Sequence, residues 1–438
     1  MIRFITSTFF TGCLFAGCLL TATAHSANIE FWYGNTGKPE EAIQAACATF
    51  NQQQSDHQVT CVGQGSYEAG MQKAIAAVRS NKHPVLIQFF DAGTLDIMLS
   101  DAVLSVQELM PDAPWQDYIG GARSYYETST GELMSQPYNS STLLFYANTD
   151  HLAAAGVDDV PSTWEQVIDA ARKLKASGHA CPFTTDAHPW RVLEQFSSRH
   201  GTAIASRQNG YGGLDAEYTF NKGLVAKHLN NLATWRQEGL VLLSQDTKAG
   251  RYNAAFNTDE CAMMEASTGS YGAAFSALGE KVALTMAPMY AGVKRHNTFV
   301  GGGSIWVMKG HDEGQYQGAK AFLDFLRTHE QQIAFTQATG YTLVTKGALT
   351  DLRASGRANE PQFAPVELGV QSMNQPGTQD TRGIRLGFYV QFRDIFKQET
   401  EKAWTGEQSM QAALDKAKTR GDELLRRFEQ TYQGKKLP

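Results

Sequence analysis

The chain has 438 residues, 42% of them hydrophobic, with six cysteines and a formal charge of −6. That length accommodates two or three domains with sizeable cores, and so mild an acidity excludes a strongly basic nucleic-acid surface. Beyond the N-terminal leader no segment approaches the ~18 uninterrupted apolar residues of a membrane span.

The opening, "MIRFITSTFFTGCLFAGCLLTATA", carries one cation, Arg3, then an apolar stretch, then small residues ending Ala22-Thr23-Ala24. This order predicts a signal peptide over residues 1–24, cleaved near Ala24, and an exported product. Leu14 to Cys18 resembles an acylation site, but Phe15 stands three residues before Cys18 and apolar residues continue after it, so lipid anchoring is not expected. Cys13 and Cys18 leave with the leader. Four cysteines remain, Cys47, Cys61, Cys181 and Cys261, and an even number in an exported chain favours two disulfides with three possible pairings. No CxxC or HExxH spacing suggests a metal, and no cofactor motif is present.

The mature chain opens on a strand, "IEFWYG", followed by a helix in which Ile43, Cys47 and Phe50 share a face after Pro39 in the first turn. A strand around "HQVTCVG", a helix around "EAGMQKAIAAVRS" and a buried strand "PVLIQFFD" continue the alternation, which marks an α/β layer with a largely parallel sheet. A second set begins after "SQPYNSSTLLFYANTD". Ser162 and Glu165 have capping-box spacing ahead of Val167, Ala171 and Leu174, and a long terminal helix carries Met410, Leu414, Leu424, Leu425 and Phe428. Two α/β units without a linker imply lobes joined by several crossings, with a ligand cleft at the strand ends between them.

Polar or glycine-rich breaks fall where such a cleft would lie: "GSYEAG", "QFFDAGT", "NSST", "EASTGSYG", "GGGS" and "TGYT". The three glycines at 301–303 match neither a P-loop nor a dinucleotide fingerprint, because a β-branched and aromatic run, not a helix, follows them. They admit either a structural bend or a backbone donor facing a ligand. Ser267 and Ser270 precede a helical run, Tyr271 to Leu278, and serve either ordinary N-capping or an anion. Arg393 interrupts the aromatic face of Phe388, Phe392 and Phe396, as a snorkelling cation or as a fork for a phosphate or carboxylate. Tyr67 and Tyr341 are core tyrosines or phenolic donors. Asp91 at a strand's end suits ligand hydroxyls. No GxSxG is present, and no nucleophile is paired with a base.

In order, "QPYNSST", "AAFNTDECAMMEASTGS", "GGGSIWVMKG", "FLDFL", "TGYTLVTK", "RGIRLG", "AWTGEQSMQAALDKA" and "LLRRFE" resemble the sn-glycerol-3-phosphate-binding periplasmic proteins of ABC importers over nearly the whole mature chain. The resemblance implies a type II periplasmic-binding-protein fold, α/β, each lobe a mostly parallel sheet flanked by helices. Residues 25–140 plus about 300–335 would form the N-terminal lobe, and about 141–299 plus about 336–438 the C-terminal lobe. It also implies a monomeric transport receptor in the periplasm that is no enzyme and has no cofactor, no metal and no nucleic-acid partner. Its ligand would be a small organophosphate, and its partners the membrane permease subunits with their ATPase. The phosphate-holding positions of the family correspond to Tyr67, Ser141, Ser267, the Gly302 backbone, Tyr341 and Arg393. The hydroxyl-binding acid is Asp91 where the family has Glu. Of an aromatic pair at the glycerol end, Trp190 matches one member and Ala187 replaces the other. Both departures are expected to enlarge that end and leave open monoester against diester. An oligosaccharide receptor of the same fold and an exported phosphodiester or glycoside hydrolase are the alternatives. For the cysteines, bridges Cys47–Cys61 and Cys181–Cys261 are expected, and for a binding test Arg385 is taken as an uninvolved control for Arg393.

Overall fold

The computed structural model describes residues 1 and 27–438, so the leader lies outside the described residues. Among the described residues eleven strands fall into two sheets. The first contains β1 (Ala27–Tyr33), β2 (His57–Gly63), β3 (Leu86–Phe90), β4 (Val103–Leu104), β5 (Gln136–Ser141) and β11 (Gly301–Met308). Its order is β2-β1-β3-β11-β4, with β5 also paired to β11. The second, ordered β10-β6-β9-β7-β8, is built from β6 (Leu143–Asn148), β7 (Phe183–Thr185), β8 (Val241–Leu243), β9 (Met263–Ser267) and β10 (Val282–Met286). Helices pack around both, giving a two-lobed α/β molecule.

The sheets are mixed rather than mostly parallel. β1 pairs parallel with β2 and β3, because the helices Lys38–Gln53 and Tyr67–Arg79 return the chain to the starting edge each time. β11 arrives from the other lobe at the cleft end, so it runs antiparallel to β3 and β5, setting Gly303 beside Phe90 and Gly301 beside Ser141. In the second lobe β7 is parallel to β8 and β9, whereas β6 is antiparallel to β9 and β10.

Every residue of β3, β5 and β6 is buried; burial on both faces accounts for the largely apolar runs of β3 and β6, whereas β5 is buried with polar side chains. The largest core side chains include Trp164, Trp306 and Phe31, and burying side chains of this size stabilises the fold by roughly 1.5–3 kcal/mol each. Capping differs by one residue from the sequence reading. Thr163, not Ser162, is the N-cap of Trp164–Ala176, accepting from the Gln166 amide while the Gln166 side chain turns back to the Thr163 amide. Both expected disulfides form, Cys47–Cys61 tying the first helix to β2 and Cys181–Cys261 joining the segments that lead into β7 and β9. No helix among the described residues is long and apolar enough to cross a membrane.

Candidate functional site

Strand ends from both sheets meet at one cavity. β3 ends at Phe90 and hands over to Asp91, β5 ends at Ser141, β9 ends at Ser267, and β11 begins at Gly301. The cavity, of about 260 Å³, is lined by Tyr67, Asp91, Ser141, Trp190, Ser267, Gly302, Tyr341 and Arg393, together with Glu68, Phe90, His188 and Arg191. All eight residues singled out in the sequence therefore share one cleft. A groove of similar volume, about 270 Å³, between the first helix and Phe335 contains none of them.

The three glycines have three separate reasons. A Cβ at Gly301 would collide with the Trp190 indole, and one at Gly302 with the Asn139 carbonyl; at Gly303 it would lie 3.0 Å from Gln88 Cγ. Gly302 also has φ of +103°, a conformation open to glycine and strained for other residues. Its N–H is turned to Asp91, donating to Oδ2 at 3.1 Å. A ligand contact by this amide would require exchanging that bond.

Behind the phenols lies an amide relay whose polarity is fixed. The Gly34 amide donates to Gln88 Oε1 at 2.8 Å, so Gln88 Nε2 points the other way and donates to Asn35 Oδ1 and Asn139 Oδ1, both at 2.7 Å. Asn35 and Asn139 must then present their N–H₂ groups forward. Asn35 Nδ2 donates to Tyr67 Oη at 3.1 Å and to Tyr341 Oη at 3.2 Å, and Asn139 Nδ2 donates to Tyr67 Oη at 2.6 Å. Tyr67 Oη thus accepts two N–H bonds and Tyr341 Oη one, so each phenol keeps its O–H as the group it can donate. Burial raises the Tyr67 pKa well above its ordinary value, with the neighbouring Tyr341 adding to the effect, so Tyr67 stays a neutral donor. Its ring stacks on Phe90 at 5.4 Å between centroids.

Arg393 sits on the helix Tyr389–Trp404 and is buried. Its Nε and Nη2 fork onto Glu194 at 2.7 and 2.6 Å, and Nη2 also reaches Asp91 Oδ1 at 2.8 Å. Nη1 makes no hydrogen bond among the described residues. Burial opposes the Arg393 charge, but Glu194 and then Asp91 outweigh it and hold the cation fully protonated. Asp91 is pushed up to about 6 by burial, with Arg393 opposing and Glu194 adding to the rise. Ser267 caps the turn after β9, accepting from the Gly269 amide at 3.1 Å, which leaves its O–H free to donate. The arrangement converges hydroxyl donors and the guanidiniums of Arg393 and Arg191 on a single cavity, beside the Asp91 carboxyl group poised to change protonation. That is chemistry for holding an oxyanion.

Two expectations need correction. Ala187 is buried, has φ of +52° and does not line the cavity; the space is walled by His188 instead. Arg385 is no neutral control for Arg393, because it is buried and donates to Met98 Sδ and to the carbonyls of Tyr125 and Glu127. Glu194, Gln88, Asn35 and Asn139 escaped the sequence reading. Gln88 left a signal, a lone amide in the apolar strand "PVLIQFFD".

A two-lobed α/β molecule with a donor-lined cleft at its strand ends belongs to the solute-receptor class. The chain belongs to the bacterial extracellular solute-binding protein family, whose sequence model matches residues 45–363. Its relatives include the sn-glycerol-3-phosphate-binding periplasmic protein UgpB of Yersinia enterocolitica, 36% identical over 415 residues that span 92% of this chain and 93% of the relative. UgpB of Escherichia coli O1:K1 / APEC is 35% identical over 412 residues, with the same coverage. Among solved structures, UgpB from Mycobacterium tuberculosis in complex with glycerophosphocholine superposes with a TM-score of 0.77 at 19% identity, covering 92% of this chain and 99% of that one. The GacH receptor of Streptomyces glaucescens gives 0.76 at 15% identity, covering 92% and 99%. The two structural likenesses bear on the fold alone.

Proposed function

We propose that this protein is the receptor of an ABC importer, capturing sn-glycerol 3-phosphate or a glycerophosphodiester in the cleft and delivering it to the membrane permease and its ATPase. The phosphate is held by the hydroxyls of Tyr67, Ser141, Ser267 and Tyr341, the Gly302 amide and Arg393 Nη1; Asp91 and Trp190 meet the glycerol. The observation that carries this reading is the amide relay, which makes both cavity-lining phenols acceptors of N–H bonds and so leaves their O–H groups to donate. An oxyanion, with lone pairs and no hydrogens, is the complement of such a surface. The relatives' names support the same ligand class.

On this reading the molecule works as a monomer in the periplasm after removal of residues 1–24, with no lipid anchor. Its lobes comprise residues 25–140 with about 300–335, and about 141–299 with about 336–438. Closure and opening of the cleft, with no covalent chemistry, accomplish capture and release. Calorimetry with glycerol 3-phosphate, a glycerophosphodiester and a disaccharide, each followed by assay for released products, tests it. Binding of a phosphate ester without turnover is the expected result. Binding of the disaccharide alone would replace it with an oligosaccharide receptor, and turnover with a hydrolase.

A further inference from the structure

The segment Asp186 to Arg191, between β7 and a π-helical turn at Trp190–Gln195, forms a self-contained clip on one wall of the cleft. Its carboxylate is spent inward: Asp186 Oδ1 accepts from the His188 amide at 2.9 Å and from Arg191 Nε at 2.7 Å, and Oδ2 accepts from Arg191 Nη2. The Trp190 amide donates to His188 Nδ1 at 3.1 Å. That nitrogen is therefore the unprotonated one, and the imidazole hydrogen resides on Nε2. Burial, opposed by Asp186 and aided by Arg393, Arg191 and Lys397, lowers the His188 pKa to about 3, so the ring remains a neutral donor at any working pH.

What the clip offers outward is all N–H. His188 Nε2 and Arg191 Nη1 have no hydrogen-bond partner among the described residues, and both side chains line the cavity. Trp190 Nε1, by contrast, is buried beside Gly301 without a partner and offers nothing outward. The Arg191 guanidinium lies 4.4 Å from the Tyr252 ring centroid and 5.8 Å from that of Trp190. A second cation over the indole would therefore meet a like charge, while Asp186, the nearest compensating carboxylate, is already consumed.

We infer that this clip is a second subsite, which receives the hydroxyl oxygens of the second alcohol of a glycerophosphodiester, so that the protein prefers polyol-headed diesters to those with a quaternary ammonium head. The inference rests on the phosphate-ester reading above and narrows it to a ligand class. Glu68, on the facing lobe and also lining the cavity, would favour an ammonium head, as would the Phe90 ring, but neither belongs to the clip.

The test is calorimetry of the mature protein with glycerol 3-phosphate, glycerophosphoglycerol, glycerophosphoinositol and glycerophosphocholine. The polyol-headed diesters should bind at least about tenfold tighter than the choline diester. Arg191→Met should bring the two classes to within about threefold. His188→Phe, which leaves the Arg191–Asp186 pair intact, should do the same in part and keeps the test open if the first variant unfolds. A choline diester that binds as tightly as the polyol diesters overturns the inference while sparing the phosphate-ester reading, most directly if Glu68→Gln abolishes that binding. A preference that survives in both folded variants also overturns it. Failure of all four compounds to bind removes the phosphate-ester reading itself, and this inference with it.

Discussion

Arg199 and Arg393 are both buried guanidiniums paired with a glutamate, yet they do opposite work. Arg199, wholly inaccessible, gives Nη2 to Glu265 Oε1 at 2.8 Å and Nε to the Pro288 carbonyl at 3.0 Å, while Nη1 lies buried without a partner. Burial depresses its pKa and Glu265 only partly restores it. Arg393 holds two carboxylates and is driven the other way. The core cation is under-compensated and the cleft cation over-compensated. An anion is therefore not drawn to the cleft by surplus positive charge around Arg393. It is held by directed, mostly neutral donors, with Arg393 preventing Asp91 and Glu194 from repelling it.

The largest expected effect breaks the core member of the comparison. Arg199→Met leaves Glu265 buried without its cation, and such a loss costs roughly 3–5 kcal/mol of stability. Denaturant unfolding should show this, while affinity per folded molecule stays near that of the parent. Arg393→Ala should give the reverse pattern. It exposes an incoming phosphate to two uncompensated carboxylates, so binding should weaken by about 2–5 kcal/mol. Stability should fall less, because Asp91 lines a cavity that water and protons can reach, and removal of the Arg393 side chain opens that cavity toward Glu194. Equal stability losses in the two variants would remove the distinction.

Sharpening the cleft side requires the neutral donors. Gln88→Glu is nearly isosteric, but a carboxylate cannot donate to Asn35 and Asn139. Both amides would be freed to flip and present oxygen to Tyr67 and Tyr341, turning the phenolic hydrogens away from the ligand. Affinity should drop by about 1–3 kcal/mol, with the melting temperature moved by less than Arg199→Met moves it. Unchanged binding would mean that the relay does not set the phenols' polarity.

These examples also mark what was legible in the sequence. Arg393 could be singled out because a cation in an aromatic helix face is conspicuous, and the strand-end breaks around Tyr67, Ser141, Ser267 and Gly302 located the cleft wall. Glu194 could not, since its partner lies 199 positions away and nothing in "WRVLEQF" marks one charged residue above the other. Arg199 stands in no motif that would single it out. The antiparallel course of β11 was equally hidden, because a strand's direction depends on which lobe the chain comes from, not on its side chains. Ala187 was read as a hole by counting ring size, whereas the backbone turns it away and puts His188 in the wall.

The smallest expected effect concerns Asp91, the carboxylate that Arg393 shares with Glu194. Its pKa of about 6, raised by burial, should rise further when an anion enters the cleft, so binding takes up a fraction of a proton. Affinity is then greatest below the free-state pKa and falls as pH rises through the bound-state value. A glycerophosphodiester is the appropriate probe, since it stays a monoanion across this range, whereas a monoester acquires its second charge near the same pH. Between pH 5.5 and 8 the diester's affinity should fall by up to about tenfold, one pKa unit of coupling being ~1.4 kcal/mol. Asp91→Asn should flatten the profile at an affinity near the parent's acid-side value, because the carboxamide mimics the protonated form. Arg199→Met should retain the parent's slope, since Glu265 does not border the cavity. A slope that persists in Asp91→Asn would assign the proton to another group and show that the over-compensation around Arg393 is not what the ligand senses.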